Sequence, residues 1–170
     1  CAAGACTVAS CVGSFADCNG VFADGCEIDT ESDANHCGAC AALCRLTPGA
    51  IGAACVSGSC AVTSCMPPYR DCNGAWGDGC EVDTAANAAH CGACDAPCPL
   101  AQNVRAPSCS AGSCVAGACA GPFGDCDGVY SNGCETPIDG DLRNCGGCGA
   151  ACSTNHVTPI CTTGTCVGAC

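Results

Sequence analysis

Eight cysteines recur at offsets of 0, 5, 10, 17, 25, 36, 39 and 43 residues, three times over, with a period of 54 residues. The first set is Cys1, Cys6, Cys11, Cys18, Cys26, Cys37, Cys40 and Cys44. The second is Cys55, Cys60, Cys65, Cys72, Cys80, Cys91, Cys94 and Cys98. The third is Cys109, Cys114, Cys119, Cys126, Cys134, Cys145, Cys148 and Cys152. Cys161, Cys166 and Cys170 open the frame again, with the last spacing one residue short. A fixed period of this length marks a repeat architecture. It predicts repeats over 1–54, 55–108 and 109–160, with 161–170 the start of a partial fourth.

Cysteine makes up 27 of the 170 residues, a density that marks a disulfide scaffold. Disulfides persist in oxidising compartments, so the chain is expected to be exported, extracellular or at a cell surface. Eight cysteines in one repeat allow 105 pairings, and spacing does not choose among them. Because 27 is odd, one cysteine is expected to be free, joined to another chain, or paired beyond this sequence. Starting and ending in mid-frame, the chain reads as a segment of a longer array. Leu, Ile, Val and Phe number only 22 together, too few for one large core, so small stapled modules are expected.

The net charge is −12, with no lysine and four arginines, Arg45, Arg70, Arg105 and Arg143. A nucleic-acid backbone would be repelled. No apolar run is long enough to span a bilayer as a helix.

The other residues keep the same frame. Asp17-Cys18-Asn19-Gly20 and Asp24-Gly25-Cys26-Glu27 return in the second repeat, and in the third with Asp127 in place of the first Asn and Asn132 in place of the second Asp; a C-G-x-C-x3-C element closes each repeat. All six aromatic residues fall at two repeat positions: Phe15, Tyr69 and Phe123 at one, Phe22, Trp76 and Tyr130 at the other. The segments DCNGVFADGCEID, DCNGAWGDGCEVD and DCDGVYSNGCET, followed by HCGAC, HCGAC and NCGGC, resemble cysteine-rich tandem repeats of secreted or surface bacterial proteins. The resemblance implies an exported modular protein and brings no assigned biochemical activity.

The predicted fold is a small disulfide-rich repeat, mostly coil with short β-hairpins and occasional helical turns, forming an elongated tandem array. Asn19-Gly20, Asp24-Gly25 and their counterparts are turn dipeptides, which places short hairpins in the acidic segment. Thr30 or Thr84 would cap a helical turn before the C-G-x-C, and Gly38, Gly92 and Gly146 would end it; the third repeat departs, with Pro137 and Gly140 in that segment. The joints after Cys44, Cys98 and Cys152 carry prolines and read as extended connectors.

Three groups of residues have chemical potential. Asp17, Asn19, Asp24 and Glu27 recur as Asp71, Asn73, Asp78 and Glu81, then as Asp125, Asp127, Asn132 and Glu135. Clustered carboxylates beside a glycine turn suit a hard cation such as calcium, although the spacing is too short for an EF-hand. The same residue types build Asx turns, and that reading is favoured; no cofactor is required. Cys37, Cys40 and Cys44 could suggest zinc or an iron–sulfur cluster, but each repeat has a single C-x2-C knuckle, and Asn144 stands where His36 and His90 stand. Disulfide roles are favoured for all of these cysteines. The six rings are expected to be buried as inter-repeat contacts; exposed, they would instead stack on carbohydrate.

No nucleophile and base arrangement is implied, so no enzyme is expected. The leading expectation is a structural extracellular protein, a stiff spacer, surface fibre or fibre subunit that associates with its own copies. A calcium-dependent or carbohydrate-binding adhesion module is the alternative, and a metal-cluster or redox protein the third.

Overall fold

A computed structural model describes residues 6–169, with no side-chain description of Ala169; Cys1 and Cys170 lie outside the described residues. The chain divides after Asp83 into two compact units. Both are mostly coil and turn, with pairs of short antiparallel strands.

In the first unit β1 (Phe15–Ala16) pairs with β2 (Ile28–Asp29), β3 (Ala50–Val56) with β4 (Ser59–Cys65), and β5 (Tyr69–Arg70) with β6 (Val82–Asp83). The second unit has β7 (Val104–Ser110) with β8 (Ser113–Cys119), β9 (Phe123–Gly124) with β10 (Thr136–Pro137), and β11 (Thr158–Thr162) with β12 (Thr165–Ala169). Among the described residues a single 3-10 turn covers Tyr130–Asn132.

The acidic Asn-Gly and Asp-Gly segments do not carry the main hairpins. They form loops closed by strand pairs of two residues, such as β1 and β2. The longer hairpins occupy the joints expected to be extended connectors. Each turns on two residues of positive φ: Ser57 and Gly58 (50° and 75°), Ala111 and Gly112 (49° and 76°), Thr163 and Gly164 (47° and 72°). Positive φ at both central positions is the type I′ geometry, whose twist matches the flanking strands.

The first two long hairpins are irregular where the third is regular. β4 skips Thr63 between its partners Val62 and Ser64, and β8 skips Gly117 between Ala116 and Ala118. The partner strands skip Ile51 and Arg105, so each strand of these two hairpins carries one bulged residue. β12 has no such residue and pairs with β11 in unbroken register, from Thr158 with Ala169 to Thr162 with Thr165.

The segment before C-G-x-C is a turn, capped differently from the expectation. Asp29, rather than Thr30, serves the first turn: its Oδ1 accepts from Glu31 N at 3.1 Å and its Oδ2 from the Ser32 hydroxyl at 2.7 Å. The Thr30 hydroxyl instead donates to Ser14 O at 2.7 Å, tying the turn to the preceding segment. Asp ranks above Thr as a cap, and the Thr30 hydroxyl is already engaged by Ser14 O.

Each long hairpin rests on the turn that precedes it. Gly38 N donates to Thr30 O at 2.8 Å, and Gly58 N to Glu31 O at 3.2 Å. A Cβ on Gly38 would lie 2.6 Å from Gly58 O, and one on Gly92 2.7 Å from Gly112 O; Gly146 and Gly164 make the same approach. Only glycine permits backbones this close.

Cysteine dominates the interior. Apart from Val104 and Thr84, the buried residues are Cys37, Cys55, Cys80, Cys98, Cys109, Cys134, Cys145, Cys152 and Cys161, together with the glycines Gly79 and Gly133. The aromatic rings do not form that core: Phe15, Phe22 and Tyr69 are 50%, 54% and 42% exposed, and Trp76, Phe123 and Tyr130 are half-buried. Two-residue strands leave no sheet broad enough to cover a ring, while a disulfide fills the small space between loops.

Candidate functional site

All twenty-five described cysteines are disulfide-bonded. The odd cysteine therefore lies outside the described residues. Two kinds of bridge alternate. The first kind stays within a sequence repeat: Cys11–Cys26, Cys18–Cys40, Cys65–Cys80, Cys119–Cys134 and Cys126–Cys148. The second joins one repeat to the hairpin of the next: Cys37–Cys55, Cys44–Cys60, Cys91–Cys109, Cys98–Cys114, Cys145–Cys161 and Cys152–Cys166. Cys6, Cys72 and Cys94 are bonded as well. The C-G-x-C-x3-C element is thus oxidised. Cys37, Cys40 and Cys44 are bonded to Cys55, Cys18 and Cys60.

At each hairpin joint two bridges lie side by side. One sulfur from each of Cys37, Cys44 and Cys60 lies within 4.8 Å of the others, and the same holds for Cys91, Cys98 and Cys114, and for Cys145, Cys152 and Cys166. These joints are the densest sulfur sites described, and the periodicity did not reveal them.

His36 and His90 serve as hydrogen-bond acceptors. Ala41, at φ 61°, donates its amide to His36 Nδ1 at 3.1 Å, and Asp95, at φ 53°, donates to His90 Nδ1 at 3.0 Å. In the third repeat Gly149 N donates to Asn144 Oδ1 at 2.8 Å. Imidazole Nδ1 and amide Oδ1 sit at the same reach from the backbone, so His and Asn do the same work. This explains the exchange that counts against a metal ligand.

The acidic loops form one network three times. Oδ1 of Asp17, Asp71 and Asp125 accepts from Gly20, Gly74 and Gly128 N at 2.7, 2.7 and 2.8 Å. Oδ1 of Asn19, Asn73 and Asp127 accepts from the amide two residues on, at 2.7, 2.6 and 2.8 Å, which is the Asx turn. Oε1 of Glu27, Glu81 and Glu135 reaches across the loop to Cys18, Cys72 and Cys126 N at 3.1, 3.0 and 3.3 Å. The Val129 amide and the Asn132 side chain hold Asp127 below the usual carboxylate range, and the Thr136 hydroxyl does the same for Glu135.

Not every oxygen is satisfied. Oε2 of Glu27 and of Glu135 is shielded from solvent with no hydrogen-bond partner. One oxygen each of Asp125, Asp127 and Glu135 lies within 4.8 Å of the others. A hard cation needs six to eight oxygens, so these carboxylates offer part of a shell.

Of the aromatic positions, Tyr130 has a specific partner: its hydroxyl donates to Pro99 O. Compared with known protein families, curated proteins and solved structures, the chain matches none. Its class rests on its own chemistry. So dense a set of bridges is consistent with an extracellular, disulfide-stabilised protein, and no described helix is long and apolar enough to cross a membrane.

Proposed function

We propose that this is an exported structural repeat protein, a stiff spacer or the subunit of a surface fibre, whose bridges limit how far it extends under load. The overlap of the two kinds of bridge carries this reading. The shortest covalent route from Cys11 to Cys65 uses backbone only from Cys11 to Cys18, from Cys40 to Cys44 and from Cys60 to Cys65. Extended residues span ~3.5 Å each and a bridge ~5.5 Å, so this route reaches only ~65–70 Å. The reduced 54-residue repeat would reach ~190 Å. The work is mechanical, with no catalysed reaction, and association with further copies would lengthen it.

Single-molecule stretching tests this. The oxidised chain should stop near a third of the length it attains after reduction. An oxidised chain that extends as far as the reduced one would sink the proposal.

A second reading, an adhesion module, is favoured by the shielded oxygens of Glu27 and Glu135 and by the half-exposed rings of Phe15, Phe22 and Tyr69. Calcium would complete the carboxylate set and carbohydrate would stack on the rings. Calorimetry with calcium, with and without chelator, and with soluble polysaccharide would decide it; heat in neither titration removes the reading.

A further inference from the structure

The hairpin cysteines are partnered against their nearest neighbours. Cys55 and Cys60 are directly opposite in the register of β3 and β4, as are Cys109 and Cys114 in β7 and β8, and Cys161 and Cys166 in β11 and β12. Each sits one pair inward from the residues that close the turn, Val56 and Ser59 in the first hairpin. In a two-residue hairpin the closing pair is hydrogen-bonded and the next is not, and non-hydrogen-bonded pairs bring Cβ atoms closest. A cross-strand bridge therefore fits this position. The strands instead bond outward, Cys55 to Cys37 and Cys60 to Cys44. The sulfurs of Cys37 and Cys44 in turn lie within 4.8 Å of each other and of Cys60. For the alternative bridge Cys37–Cys44 the sulfurs are already adjacent, and for Cys55–Cys60 the residues are already paired across the strands.

We propose that each joint is a disulfide-exchange switch, in which Cys37–Cys55 and Cys44–Cys60 convert to Cys37–Cys44 and Cys55–Cys60 and so unlink the hairpin from the preceding turn. The joints at Cys91, Cys98, Cys109 and Cys114, and at Cys145, Cys152, Cys161 and Cys166, work in the same way. A small monothiol such as glutathione starts the exchange. Its thiolate attacks Cys60 Sγ, forms a mixed disulfide there and releases the Cys44 thiolate. Cys44 attacks Cys37 Sγ, forms Cys37–Cys44 and releases the Cys55 thiolate. Cys55 attacks Cys60 Sγ, forms Cys55–Cys60 and returns the monothiol. Two bridges break, two form, and nothing is oxidised or reduced overall. The switch does not depend on the spacer reading, and it operates whether or not the chain carries load.

The test is a bridge map. The intact protein is incubated with a catalytic amount of glutathione, quenched by alkylation, denatured and cut with trypsin without reduction. Cleavage follows Arg45, which lies between Cys44 and the hairpin. The expected result is loss of the bridges joining residues up to Arg45 to residues 46–70, with Cys11–Cys26 and Cys18–Cys40 retained and the free-thiol content unchanged. Retention of both joint bridges until Cys11–Cys26 also opens would overturn the proposal, and so would scrambling among all the cysteines. A second measurement needs no added thiol. In Cys44→Ser, the stranded Cys60 should capture Cys55, leaving Cys37 as the alkylated residue. Alkylation at Cys60 with Cys37–Cys55 intact, or at Cys55, would overturn it.

Discussion

The side-chain amide of Asn132 donates to the Asp127 carboxylate at 2.9 Å, and this bond runs opposite in sequence to the one that Asn19 donates to Asp24 at 2.8 Å. The acid and the amide have traded places around the same loop, and the bond and the net charge survive. Asn73 and Asp78 keep the orientation of the first repeat.

The trade predicts a compensating pair. Asn19→Asp alone sets two carboxylates at hydrogen-bond distance and should lower stability by about 0.5–1.5 kcal/mol, the net value of such a bond. Adding Asp24→Asn should restore most of it, because the double variant copies the third repeat. Thermal unfolding of the wild type, both single variants and the double variant measures the coupling. Additive losses would show that the two side chains act independently.

His36 should accept asparagine and reject leucine. Asn144 already fills the same role, so His36→Asn should unfold within about 0.5 kcal/mol of the wild type. His36→Leu leaves the Ala41 amide without its acceptor and should cost about 1 kcal/mol. Equal losses for both variants would separate the imidazole from this bond.

Gly92→Ala should be among the costliest single changes. The residue sits at φ 81°, and a Cβ would meet Gly112 O at 2.7 Å. The conformation alone costs ~1–2 kcal/mol, before the hairpin is pushed away. Gly140→Ala is the control, since it has no positive φ and open space around it, and it should leave the melting temperature nearly unchanged. A hairpin that undocks should also lower the yield of Cys91–Cys109 on oxidative refolding.

Acid should weaken the loops that hold ionised carboxylates. Asp127 is held below its ordinary value of 3.8 by the Val129 amide and Asn132, Glu135 below 4.5 by the Thr136 hydroxyl, and Asp141 below 3.8 by the Arg143 amide. Asp29 in the first unit is lowered by Ser14 and Ser32. A carboxylate lowered on folding contributes stability above its unfolded value and loses it as pH falls through the folded one. The melting temperature should therefore be flat above about pH 5 and fall below about pH 4. In Asp127→Asn, whose loop keeps an acceptor that does not titrate, the fall should be shallower.

Much of this was legible in the chain itself. The Asp-x-Asn-Gly spelling specified Asx turns, and the network around Asp17, Asn19 and Glu27 follows from side chains reaching amides a few residues away. The hairpin turns have a weaker spelling, Ser57-Gly58, Ala111-Gly112 and Thr163-Gly164, than the Asn-Gly and Asp-Gly turns of the acidic loops. Proline in the joints also argued for connectors. Pro107 is tolerated in β7 because the sheet has only two strands, and each strand is therefore an edge.

The sequence by itself determined the period, the turn chemistry and the oxidised state, because these depend on residue type and on contacts a few positions apart. Tertiary structure alone decided who bonds to whom. Cys55 and Cys60 face each other across a hairpin, yet each is tied to a turn more than ten residues earlier. Spacing records how far apart cysteines are along the chain; docking of Gly58 against Gly38 sets how far apart they are in space.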